Sequence, residues 1–243
     1  MIFDTLKDRM NYYRDLVDYK LMPNMPVLVM LDGKNFSNKI KKHFSQPFDE
    51  DFHNIMNETA KYLCENIQGC KVAFVQSDEI SIFIEDTYES EPTFGLRLCK
   101  LQSIMASMAT SKFNQLMFSY ELKKTLGVDI NSLRLYEFDC KAWNVPNKDE
   151  VYNWFYYRQI DCIRNSKLQV AHTLFSHKEL NNVSCTKMVE LCKEKGVDWE
   201  SFEDGKKFGR VIHQISVEDS SRKKWTISEA TTFNYNDFFE KWV

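Results

Sequence analysis

Two apolar, β-branched runs in this chain each deliver carboxylates at their ends. One is Val27-Leu28-Val29-Met30-Leu31-Asp32-Gly33-Lys34; the other is Ala73-Phe74-Val75-Gln76-Ser77-Asp78-Glu79-Ile80-Ser81-Ile82-Phe83. Short apolar runs bounded by turn-forming residues predict strands. Carboxylates at the ends of neighbouring strands are a means of holding Mg²⁺ against nucleotide phosphates. The pair of segments therefore points to phosphoryl or nucleotidyl transfer. Neither G-x-x-x-x-G-K-[ST] nor G-x-G-x-x-G is present, and the chain has only seven glycines. Phosphate handling then falls to metals and side chains rather than to a glycine-rich loop.

The order of elements brings the two segments together. An amphipathic helix is predicted from Asp4 to about Tyr19, with Leu6, Met10, Tyr13 and Val17 on its apolar side. Pro23 and Pro26 lead into a strand over Val27 to Leu31, followed by a polar loop through Lys39, Lys41, Lys42, His43 and Pro47. A helix from Asp49 carries Phe52, Ile55, Met56, Leu63 and Ile67 on one stripe and closes at Gly69. Val72 to Gln76 and Ile80 to Ile84 read as strands joined near Ser77-Asp78-Glu79. A long helix over Phe94 to Phe118 and a strand over Leu133 to Phe138 complete the order βαββαβ. This is the ferredoxin-like split unit, an α+β fold. Its two central strands are the first and third, so Asp32 and the Asp78-Glu79 turn meet at one sheet edge. Residues 1–145 are the expected catalytic domain. Residues 146–243 are expected to form a mostly helical extension: helices over Asp149 to Phe175 and Cys185 to Lys195, and short strands at Phe208 to Ser216 and Lys224 to Ser228.

Composition excludes several classes. Lys plus Arg number 32 and Asp plus Glu 35, giving a formal charge of −3. That balance leaves nucleic-acid binding to a local basic patch. The seven cysteines contain no CxxC pair, which argues against zinc and predicts reduced thiols in a cytoplasmic protein. No apolar run approaches a membrane span.

Mg²⁺ takes oxygen ligands, usually one or two carboxylates plus phosphate oxygens. Asp32 and Asp78 are the candidate metal residues, with the Gly33 carbonyl as a further oxygen and Glu79 as ligand or outer-sphere partner. The competing reading is a pair of polar hairpin ends, which the ferredoxin-like order weakens. Trp143, Trp154, Tyr156 and Tyr157 are candidates for stacking on bases; core packing is the favoured reading for Trp154 and Phe155.

These residues resemble the tRNA(His) guanylyltransferase family. The similar stretches are Leu31-Asp32-Gly33-Lys34-Asn35-Phe36, Gln46-Pro47-Phe48-Asp49, Gln76-Ser77-Asp78-Glu79-Ile80-Ser81, Lys100-Leu101-Gln102-Ser103, Phe138-Asp139-Cys140-Lys141, Tyr157-Arg158-Gln159-Ile160-Asp161-Cys162 and Lys187-Met188-Val189-Glu190-Leu191. The resemblance implies a polymerase-type palm that adds nucleotides to the 5′ end of tRNA. ATP or GTP activates a 5′-monophosphate, and the 3′-hydroxyl of an incoming nucleoside triphosphate then attacks it, with two Mg²⁺ ions. It implies Asp32, Asp78 and Glu79 as catalytic residues and Asp32, Gly33 and Asp78 as metal ligands. It assigns Lys34, Asn35, Phe36, Ser77, Lys100, Lys141, Asn165 and Lys187 to nucleotides. Lys41, Lys42, Arg158, Lys206, Lys207 and Arg210 are the candidate RNA-binding cations. A homotetramer is the expected assembly.

One departure narrows the resemblance. Eukaryotic members follow Arg-Gln-x-Asp-Cys with His-Ile-Asn-Asn-Leu-Tyr-Asn. Here the stretch is Ile163-Arg164-Asn165-Ser166-Lys167-Leu168-Gln169. Ile163 replaces the histidine, which points to the Thg1-like branch and to template-dependent repair of 5′-truncated tRNA. The alternatives are a palm-type nucleotidyl cyclase, opposed by the lack of a Gly-Gly-acidic-Glu-Phe turn, and a non-catalytic tRNA-binding module.

Overall fold

A computed structural model describes residues 4–41, 43–85, 91–124, 134–217 and 223–243. Its element order is α1 (Leu6–Asp15), β1 (Val27–Gly33), α2 (Phe36–Ile40), α3 (Glu50–Asn66), β2 (Cys70–Gln76), β3 (Glu79–Ile84), α4 (Leu98–Lys124), β4 (Phe138–Asn144), α5 (Lys148–Leu174), α6 (Cys185–Glu194), α7 (Asp204–Phe208), β5 (Arg210–Ser216), β6 (Lys223–Glu229) and α8 (Tyr235–Trp242). The strands form one antiparallel sheet in the order β4-β1-β3-β2-β5-β6. The first four places are the ferredoxin-like arrangement, with β1 and β3 central as expected. The hairpin β5-β6 joins that sheet through β2, so a single sheet crosses the expected boundary near residue 145.

Both sheet faces are covered, which explains why β1 and β3 are apolar almost throughout. Val29, Leu31, Ile80 and Ile82 face α3 and α4, packing with Met56, Leu63, Met105 and Phe113. Leu28, Phe74 and Phe83 face the other way, against Phe155 of α5 and Phe238 of α8. Asp49 caps α3, its Oδ1 accepting the Phe52 N–H at 3.1 Å. Glu50 and Asp51 in the first turn suit the helix dipole. Among the described residues no helix is long and apolar enough to cross a membrane.

Four expectations need correction. First, the last palm strand lies at Phe138–Asn144, not at 133–138; Leu133 falls outside the described residues. Its backbone approach is held by other partners. The Asn114 side chain takes both the N–H and the carbonyl of Tyr136, and Glu137 accepts from the Lys34 N–H. Second, α4 begins at Leu98 because Phe94 and Leu96 adopt left-handed backbone at φ 53° and 56°. Third, α1 stops at Asp15 and buries no residue; the chain beyond it turns to hydrogen-bond residues 96–98. Fourth, the polar loop after β1 contains the short helix α2.

Candidate active site

β2 and β3 are joined by a two-residue turn, Ser77-Asp78, between the paired residues Gln76 and Glu79. Ser77 takes the positive φ of 46° that such a turn requires. The Gly33 N–H donates to the Asp78 carbonyl at 3.2 Å, tying the end of β1 to the turn. In register, Asp139 of β4, Asp32 of β1, Glu79 of β3 and Gln76 of β2 stand opposite one another in a row across the sheet. Directly opposed residues share a face, and here that face looks onto α5.

The carboxylates in this row differ in their surroundings. Glu79 is clamped: Arg158 donates from Nε at 2.7 Å and from Nη2 at 2.6 Å. Gln76 and Ser81 add donors to the same carboxylate. Arg158 also donates to Asp161 at 3.0 Å, and both ends of the pair are nearly buried. Asp32 and Asp78 have no such cation. Burial raises the Asp32 pKa, and the neighbouring charges of Asp139 and Glu79 push the same way, against Lys141 and Arg158. Burial, reinforced by the charge of Asp32, pushes Asp78 up to about 6. The two form a pair of inward-held carboxylates short of positive charge. Among the described residues no three acidic, histidine or cysteine side chains converge as a metal cage. The expected triad is therefore two carboxylates plus a structurally committed Glu79. Two is the number Mg²⁺ commonly takes when phosphates supply further ligands.

α5 crosses this edge of the sheet. Trp154 donates to Ser81 at 3.1 Å, Arg158 meets Glu79, and Asn165, Ser166 and Gln169 then reach a cavity. That cavity is about 250 Å³, with Ser77 and Asp78 on one wall and Phe44, Pro47, Phe48 and Phe52 on another. Aromatic side chains beside a few convergent polar groups are the usual lining of small-molecule pockets.

The remaining candidates separate clearly. Ser77 and Asn165 line the cavity. Lys141 stands opposite Met30, close enough for its charge to act on Asp32. Lys34 and Asn35 are exposed just past β1. Phe36 is a correction: it is fully buried, with its ring about 5 Å from those of Phe113, Tyr136 and Phe138. A Cβ on Gly33 would come within 2.5 Å of that ring, so packing requires glycine there. Lys100 and Lys187 do not line the cavity; Lys100 lies over Phe94 and Lys187 pairs with Glu190.

Most of the expected RNA-binding cations are also corrected. Arg158 is buried on Glu79. Lys206 is paired with Glu50 and Glu203, and Lys207 is buried against Asp204 and the Glu200 carbonyl. Arg210 is buried, donating to Asn57 at 2.8 Å and to the Gly205 carbonyl at 3.1 Å, and burial lowers its pKa to about 10. Lys41 remains exposed at the cavity; Lys42 lies outside the described residues. Two contributors escaped the sequence reading. Asp139 and Asp161 stood in the stretches that carry the family resemblance, but neither was assigned a role.

The family model described as Thg1, tRNAHis guanylyltransferase, matches residues 7–146. The structure resembles a bacterial tRNA(HIS) guanylyltransferase (Thg1)-like protein solved with ATP, at TM-score 0.81 and 36% identity over 93% of this chain and 92% of that one. The GTP complex gives 0.77 and 34%, covering 94% and 93%. An uncharacterized protein of Acanthamoeba polyphaga mimivirus is 27% identical over 100% of this chain and 90% of its own length. The tRNA(His) guanylyltransferase of Schizosaccharomyces pombe is 30% identical over 60% of this chain; the match spans about half of that relative, 53%.

Proposed function

The chain belongs to the Thg1 family of tRNA(His) guanylyltransferase-like nucleotidyltransferases, and from that premise we propose that it is a Mg²⁺-dependent 3′–5′ nucleotidyltransferase that repairs 5′-truncated tRNA against the opposite strand. The observation that carries this reading is the pair Asp32 and Asp78, neither clamped by a guanidinium, with Asp78 on the wall of the cavity. Two half-buried carboxylates whose pKa values are raised by burial and by neighbouring negative charge favour a divalent cation beside them. Asp32, Asp78 and the Gly33 carbonyl would hold Mg²⁺. Such an ion lowers the pKa of a bound hydroxyl and neutralises charge on a departing pyrophosphate.

The chain's own groups do the rest. The apolar wall of Phe44 and Phe48 accepts a base, while Ser77 and Asn165 orient the sugar and phosphates beside Asp78. Lys34 and Lys141 supply positive charge where phosphate oxygens accumulate. Arg158 fixes Glu79, and through it the register of the row. Positioning plus charge stabilisation is the larger part of phosphoryl-transfer catalysis.

Ile163 supports repair over histidine-tRNA recognition. Its side chain packs in the apolar cluster of α5, α6 and Trp199 rather than offering a polar contact. The reading also takes in cytoplasmic location and a homotetramer. The test is incubation with 5′-truncated tRNA, labelled nucleoside triphosphate and Mg²⁺. Extension of the 5′ end is the expected outcome. A cyclic nucleotide product would instead indicate a palm-type cyclase, and binding alone a non-catalytic module.

A further inference from the structure

α5 presents one exposed apolar face beside the carboxylate row. Tyr157 is 56% exposed and Ile160, one turn on, is 49% exposed. The inner side of the Tyr157 ring is backed by the Arg158 guanidinium at 5.0 Å and by Trp154 at 5.9 Å. Trp154 in turn packs edge-on against Trp143 of β4 at 4.8 Å and donates to Ser81. Arg158 is itself held by two hydrogen bonds to Glu79. The ring is thus a braced aromatic surface with one side open.

We infer that the Tyr157–Ile160 face of α5 is a stacking platform for an unpaired base of the tRNA acceptor end. The inference rests on the proposed function. Removing 5′ nucleotides leaves opposing nucleotides unpaired, and templated addition requires one of them to be held near the reacting end. Tyr157 is placed for that task. Its backing Arg158 binds Glu79, and Glu79 stands opposite Asp32. Every base has a π-face, so stacking on a braced ring is tolerant of sequence, as repair of varied ends demands. The charges around the face suit RNA. Lys141 is exposed on the neighbouring strand, and Arg164, two turns beyond Tyr157, is 54% exposed while paired with Asp161. A cation beneath the ring also leaves it a better partner for an electron-rich base edge.

The test uses the full chain and a 5′-truncated tRNA carrying 2-aminopurine at the first unpaired template position. Native protein is expected to bind and quench the probe. Tyr157→Ala and Tyr157→Leu should each weaken binding about tenfold and lose the quench, whereas Tyr157→Phe should keep both. The fold loss should be the same at low and high salt, because stacking releases no counterions. Unchanged affinity and quench in a folded Tyr157→Ala, or in Tyr157→Leu should the alanine variant fail to fold, would overturn the platform alone. So would a loss that tracks a change in oligomeric state by sedimentation, which would make the face a contact between copies. Failure of the native protein to bind tRNA at all would overturn this inference and the proposed function together.

Discussion

Arg158 grips Glu79 with two short hydrogen bonds, at 2.7 and 2.6 Å, and so sets Glu79 apart from Asp32 and Asp78, which have no such clamp. Asp32 stands directly opposite Glu79 but has no clamp of its own. The division leaves Asp32 and Asp78 as the two carboxylates without a guanidinium partner.

Truncating Arg158 would leave Glu79 buried and unpaired. Breaking a buried pair from one side costs about 3–5 kcal/mol, so Arg158→Ala should lower unfolding free energy by about 3 kcal/mol. Urea denaturation measures it. A loss below about 1 kcal/mol would mean that the clamp is not structural.

Gly33 is held to glycine by Phe36, whose ring lies 2.5 Å from the Cβ that any other residue would carry. Gly33→Ala should destabilise by about 1–3 kcal/mol through overpacking. Adding Phe36→Leu should return part of that, which a double-mutant cycle in urea would register. Strict additivity of the two changes would contradict the packing account.

The raised pKa of Asp78 makes stability depend on pH. Its carboxyl goes from 3.8 in the unfolded chain to about 6 in the fold, so folding takes up a proton between those values. The native state therefore pays nothing below the lower value, loses stability as pH rises through the window, and carries a constant penalty above it, about 3 kcal/mol at most. Without divalent cation, Asp78→Asn should gain stability over native protein by about 2 kcal/mol more at about pH 8 than at about pH 4.5. Thermal unfolding at the two pH values checks this. An advantage that does not grow with pH would show that Asp78 is not a strained carboxylate. Mg²⁺ should raise the native Tm by linkage and leave the variant's nearly unchanged.

The palm was legible because its signals are local. Val27–Leu31 and Ile80–Ile84 are apolar runs, Asp49 is a good cap, and the order of elements selects the split βαββαβ sheet. β4 was misplaced because it lies at the sheet edge, where Asp139 and Lys141 interrupt the apolar pattern. The approach of Asp32 to Asp78 at the end of β1 and the β2–β3 turn was legible. The roles of individual cations were not, because a run such as Lys206-Lys207 does not reveal that Glu50 of α3 reaches Lys206, or that Glu203 and Asp204 lie one helical turn back to pair with both. Phe36 misled for the same reason: its neighbours Phe113 and Tyr136 come from distant sequence.

In the proposed reaction Asp32 and Asp78 together run nucleotide addition at a tRNA 5′ end. The direct measurement is single-turnover addition to 5′-truncated tRNA, with Mg²⁺ saturating, by native protein and by Asp32→Asn and Asp78→Asn variants shown to be folded. The account predicts addition by the native protein and a rate loss of about 100-fold or more in each variant, the equivalent of the several kcal/mol that metal-assisted charge stabilisation supplies. Addition within about fivefold of native by either folded variant would contradict it.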